Sequence, residues 1–154
     1  MITVPDVEAM TGVGMRLGRA LRPGDAVCLE GPLGAGKTTL TRGIAAGLGI
    51  ETGVSSPTFV ISRRYRGPHV DLVHCDAYRL APDDDFADIV PDPDRVVTVV
   101  EWGSDVMPAV GDSWLVVTVG RSEGMGDDVR TISLRGVGDE WDDERVNRIS
   151  GDLT

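Results

Sequence analysis

Residues 31–40 read GPLGAGKTTL, and Gly31, Gly36, Lys37 and Thr38 satisfy the spacing G-x-x-x-x-G-K-[ST]. The pattern carries weight only where it follows a strand and opens a helix. Here AVCLE at 26–30 is a short apolar strand, and residues 38–48 read as a helix that Gly47 and Gly49 bring to an end. That context argues against a glycine-rich turn that merely caps a helix. Glycines at 31, 34 and 36 let the backbone wrap a phosphate with its N–H groups turned inward. The helix N-terminus adds partial positive charge. Lys37 is the only lysine in the chain. Its ammonium is a compact point charge where a planar guanidinium would crowd the loop, so the slot selects by size and shape. Thr38 offers a hydroxyl to Mg2+. Leu33, Gly34, Ala35, Gly36, Lys37, Thr38 and Thr39 are therefore the candidate nucleotide-binding residues.

Around this loop the pattern alternates helices and strands. Asp6 is placed to cap a helix whose apolar positions Val7, Met10, Val13, Leu17 and Leu21 keep helical spacing, with residues 3–6 as its entry. Strands are expected at 59–65 and 70–75, paired as a hairpin around residues 66–69. Others are expected at 95–100, 114–119 and 129–134. The acidic stretch 82–93 reads as a loop with a short helix, and 139–149 as a closing helix. The sum is an α/β, three-layer fold of the P-loop type, with a mixed parallel and antiparallel central sheet, in one domain over residues 1–154.

The net charge of −10 works against autonomous binding to nucleic acid, which needs clustered cations. Cys28 and Cys75 lie far apart in apolar surroundings and read as reduced core thiols. There is no charged leader followed by an apolar run, and no stretch long and apolar enough to cross a membrane, so a cytoplasmic protein is expected.

Three further places hold residues able to do chemistry. Residues 96–103, VVTVVEWG, form a buried strand that ends in Glu101. A carboxylate at such a tip is where P-loop proteins hold Mg2+ or its water, and the alternative is a solvated strand-end acid. Asp76, in HCDAYR at 74–79, is placed to orient an attacking water or complete the second coordination shell of Mg2+, or else to form a salt-bridged turn with Arg79. His74 reads as a packed histidine and His69 as a solvated one. Residues 55–59, SSPTF, are either a loop that senses the terminal phosphate or a strand-entry turn. The acid runs 83–85 and 142–144 read as solvated faces. Trp102 is a candidate shield for the site, whereas Trp114 and Trp141 read as packing residues.

Taken together, MRLGRALRPGD at 15–25, the loop 31–39, SPTF at 56–59, His74 with DAYR at 76–79, and Glu101–Trp102 resemble one family, the bacterial tRNA threonylcarbamoyladenosine biosynthesis ATPases called TsaE. The resemblance spans about residues 5–120; nothing after about 135 contributes. Ser55 stands where threonine is usual and Ala77 where leucine is usual. The resemblance implies ATP as substrate, Lys37 on phosphate, Thr38 and Glu101 on Mg2+, and Asp76 in hydrolysis. It also implies that the chain works with the threonylcarbamoyl-transferase subunits of a tRNA-modifying complex, with tRNA met only indirectly. Two other readings share the loop: a small-molecule kinase, and a nucleotide-gated binding module without turnover. The arginines at 63–66 lie in a hairpin rather than a helical lid, which weakens the first. A guanine-reading Asn-Lys-x-Asp motif is not possible, since the single lysine, Lys37, is already in the loop.

Overall fold

A computed structural model describes residues 1–51, 61–80 and 84–154. Among them seven strands make one sheet: β1 (Ile2–Val4), β2 (Ala26–Glu30), β3 (Ser62–Tyr65), β4 (Asp71–Asp76), β5 (Val96–Glu101), β6 (Trp114–Arg121) and β7 (Arg130–Val137). Their spatial order is β1-β7-β6-β2-β5-β4-β3. The inner four, β6, β2, β5 and β4, run parallel, while β3 and β7 are antiparallel to their neighbours. The sheet is thus mixed, as expected. β5 is buried along its whole length, which is why VVTVVE is a continuous apolar run rather than an alternation.

Helices cover both faces. Helices α1 (Val7–Ala20), α2 (Lys37–Gly47) and α5 (Asp143–Leu153) pack on one, where Leu17, Leu40, Ile44 and Leu153 meet Leu29, Val99 and Leu115. The short α3 (Phe86–Ile89) and α4 (Met107–Val110) cover the other, with Phe86 and Met107 against Cys28, Cys75 and Val100. A leucine or isoleucine buried this fully contributes about 1.5–3 kcal/mol.

Asp6 caps α1 as its position suggested, accepting from the Ala9 N–H at 2.7 Å. Residues 3 and 4, taken as the helix entry, instead belong to β1, paired antiparallel with β7. Three residues are too few to show an alternation, and the strand forms because β7 offers it an edge. The closing helix starts later than expected, after a 3-10 turn at Asp139–Trp141 that leaves Gly138. Each acid run also does more than face solvent. Asp85 accepts from the Ala87 N–H at 2.9 Å, and Asp142 from the Arg145 N–H at 2.8 Å, so one acid of each run caps a helix. Residues 55–59 lie outside the described residues, as do residues 59 and 60 of the first hairpin strand.

Glycines set the distance between α1 and α2. A Cβ on Gly14 would lie 2.5 Å from the Leu40 carbonyl, and one on Gly18 would lie 2.3 Å from that of Ile44. From the other side, a Cβ on Gly43 would meet the Thr11 carbonyl at 2.4 Å, and one on Gly47 that of Met15 at 2.2 Å. The two backbones are therefore in contact, and α2, whose first turn carries Lys37, is held firmly against α1.

Candidate functional site

The loop begins where β2 ends. Gly31 has φ 145°, and a Cβ there would sit 2.3 Å from the Val119 carbonyl, so no other residue fits. Gly36 is the N-cap of α2 with φ 108°, in the left-handed region that favours glycine. The first N–H groups of α2 thereby open onto a cleft of about 570 Å³. Leu33, Gly34, Gly36, Lys37, Thr38 and Thr39 line it. Ala35 does not: its side chain is buried in the core, and its carbonyl accepts from Arg130 Nε at 3.1 Å.

Across the cleft stand two carboxylates. β4 and β5 are parallel and in register, with Asp76 beside Glu101, so both strands end in an acid at the same level. Glu101 is only 6% exposed, which removes the solvated strand-end alternative. Its Oε1 lies 3.2 Å from Nε2 of the fully buried His74. Asp76 accepts from the Tyr78 N–H at 3.1 Å and from Arg79 Nε at 3.1 Å. Asp76 thus makes the salt-bridged turn with Arg79, and it also lines the cleft.

Lys37 is the centre of the arrangement. Its Nζ donates to the carbonyls of Gly31 at 2.6 Å and Pro32 at 3.1 Å. The Trp102 ring lies over it, 4.1 Å from Nζ to the ring centroid, so Trp102 does shield the ammonium. Burial pulls the Lys37 pKa down, and the charges of Glu101, Glu30 and Asp76 push the other way.

Sequence reasoning passed over two contributors, Glu30 and Arg130, and read His74 only as a packed histidine. Glu30 ends β2 immediately before the loop and accepts from Ser104 Oγ and from Cys28 Sγ; an acid at that strand tip was the available signal. Arg130 braces the loop at Ala35 from β7, and His74 reaches Glu101 from the next strand. Neither pairing has a local signature.

The Thr38 hydroxyl and the carboxylates of Asp76 and Glu101 are hard oxygen donors that share one cleft. That donor chemistry suits Mg2+ and not a thiolate- or imidazole-seeking metal. Among the described residues no group of three or more His, Cys, Asp and Glu side chains would hold a metal unaided. An ion that keeps waters and shares phosphate oxygens fits such a sparse set.

With the phosphate loop at the carboxyl end of the central strand, and parallel neighbours on either side, the fold and its cleft are those of a P-loop protein. The family model described as Threonylcarbamoyl adenosine biosynthesis protein TsaE matches residues 4–129, and the chain belongs to that family. A tRNA threonylcarbamoyladenosine biosynthesis protein TsaE of Streptomyces coelicolor is 42% identical over 92% of this chain and 100% of its own. The protein of the same name from Bacillus subtilis is 39% identical over 79% of this chain and 75% of its own. Among solved structures, the crystal structure of Bacillus subtilis YdiB matches with a TM-score of 0.72 at 29% identity, over 99% of this chain and 91% of that one.

Proposed function

We propose that this chain is a Mg2+-dependent ATP hydrolase, acting as one domain, that supports formation of threonylcarbamoyladenosine in tRNA by driving turnover of a cytoplasmic transferase complex. The observation that carries the reading is the cleft itself, in which the phosphate loop of α2 faces Asp76 and Glu101. The loop N–H groups and the α2 N-terminus bind the phosphates. Lys37 moves from the Gly31 and Pro32 carbonyls onto the outer phosphates, a short displacement for a flexible stem. Thr38 and Glu101 would hold Mg2+, which when bound supplies charge neutralisation across the phosphates. Asp76 orients the water that attacks the terminal phosphorus. The bond from that phosphorus to the ADP oxygen breaks, and ADP, inorganic phosphate and a proton leave.

Arg79 is held on Asp76 and Arg130 on the loop carbonyl, so neither is spent on the transition state. Arg121 Nη2 lies beside Gly34 of the loop, and we assign further positive charge for the transition state to the transferase subunits. Charge supplied in trans is worth up to ~10⁵-fold in P-loop systems. The test is steady-state ATP hydrolysis by the purified chain, alone and with the purified transferase subunits. Slow turnover alone and a rise of at least tenfold with the subunits is the expected result; rapid turnover alone, or indifference to the subunits, defeats it.

A further inference from the structure

We propose that His74 is a positioning residue: its Nε2–H fixes one oxygen of Glu101, so that the other is presented to the metal side of the cleft. This rests on the reading of Glu101 as a metal-side carboxylate.

A polar ring in the core must find a partner or lose the free energy of its hydration. His74 is fully buried, and among the described residues its one hydrogen-bond partner is Glu101 Oε1 at 3.2 Å. Nδ1 has no partner. That asymmetry assigns the tautomer. Hydrogen on Nε2 gives a good donor to the carboxylate and leaves only a lone pair at Nδ1. Hydrogen on Nδ1 would set a lone pair against the carboxylate and bury an unsatisfied N–H.

The strand register explains how the bond is built. His74 lies beside Val99, and Asp76 beside Glu101. Alternation along each strand puts His74, Asp76 and Glu101 on one face of the sheet, the face that α2 covers. His74 thus sits one step deeper than the two acids and reaches up to one of them. Glu101 has three rotatable bonds and a cation nearby, since its charge acts on Lys37. Unheld, it would swing toward that ammonium. Instead Lys37 donates to Gly31 and Pro32, and Glu101 stays on His74. Partners that orient a ligating carboxylate are typically worth 10–100-fold in metal affinity.

The experiment measures binding of a non-hydrolysable ATP analogue by calorimetry, in Mg2+ and in EDTA, on the full chain. The ratio of the two affinities is the metal coupling. His74→Leu removes the donor. His74→Asn keeps polarity, but its amide ends near the Nδ1 position and does not reach Glu101. His74→Gln places an N–H close to the Nε2 position. Affinity in EDTA should be unchanged in all three. The coupling should fall about tenfold or more in the Leu and Asn variants and be largely restored in the Gln variant. If the Leu variant does not fold, the Asn and Gln pair carries the comparison. Wild-type coupling in the Asn variant, or equal loss in Gln and Asn, overturns the assignment of His74 alone. A wild-type chain whose binding ignores Mg2+ overturns it together with the metal reading of the site.

Discussion

Trp102 has φ 58°, the one non-glycine residue at positive φ among those described. A bulky side chain in that region costs about 1–2 kcal/mol. The turn is held by the Trp102 N–H, which donates to the Leu29 carbonyl at 3.0 Å, and it throws the ring over Lys37. Trp102→Gly and Trp102→Ala both delete the ring, but only glycine relieves the backbone. The glycine variant should be more stable than the alanine variant by about 1 kcal/mol in urea unfolding, and equality would show that the backbone is unstrained. The two cysteines give a prediction in pH. Cys28 and Cys75 each stand beside Val100, from opposite sides of β5. They are two strand spacings apart, about 9.5 Å, too far for a disulfide. Burial pushes both thiols up to about 12. In the unfolded chain they ionise near ~8.5. Above that pH the unfolded state sheds protons that the folded state keeps, so stability present below ~8.5 is lost as pH rises toward 12. Each thiol contributes a slope of about 1.4 kcal/mol per pH unit. Urea midpoints between pH 8 and 10.5 should fall less steeply in the Cys28→Ala, Cys75→Ala double variant than in the wild type.

Among the helices, the contact of α1 with α2 is the tightest packing that the glycines record, and it makes a sharp contrast between neighbours. Gly14→Ala drives a methyl into the Leu40 carbonyl, whereas a Cβ on Gly12 meets nothing within 4 Å. The first should cost at least 1–3 kcal/mol by overpacking, because backbone has little room to yield. The second should gain about 0.5–1 kcal/mol, since it only replaces a helical glycine by a better helix former. Thermal unfolding of the two variants checks both signs, and a stable Gly14→Ala protein would mean that the helices slide apart freely. Elements with a long period or a strong cap, such as α1 with Asp6 and the parallel strands of valine, were legible in the sequence. β1 and α4 were not, being three and four residues long, too short for any period to register. The glycines at 14, 18, 43 and 47 were visible one by one. Their common purpose was not, because it exists only where two helices cross.

Across the whole molecule the same division holds for the site. The loop is contiguous in sequence, so its pattern was legible there, although Ala35 turns into the core and not into the cleft. The pairing of Asp76 with Glu101, the reach of His74 and the brace of Arg130 all depend on which strands lie side by side, and a local pattern does not carry that. At the C-terminus the closing helix was legible as a helix, but what anchors it was not, since its partner lies far away in sequence. Asp25 precedes β2, and the five residues of β2 separate it by about 16 Å from the phosphate loop. There it meets Arg145 of α5, Nη2 to Oδ2 at 2.7 Å, with both side chains buried. The guanidinium stacks on Trp141, 3.6 Å from the ring centroid, and Nη1 donates to the Glu140 carbonyl at 3.0 Å. Among the described residues, Asp25 keeps one other donor to its side chain, the Arg22 N–H at 2.7 Å. Arg145→Met would leave that carboxylate buried with a single N–H, a loss of about 3–5 kcal/mol for a broken buried pair. Adding Asp25→Asn removes the uncompensated charge while the amide oxygen still accepts from Arg22. The double variant should therefore recover part of the loss in urea unfolding. Nucleotide affinity should be unchanged in both, because the pair lies at the opposite end of β2 from the loop. A double variant as unstable as the single one would place the loss in the contacts of Arg145 with the Trp141 ring and the Glu140 carbonyl, and not in an uncompensated charge on Asp25.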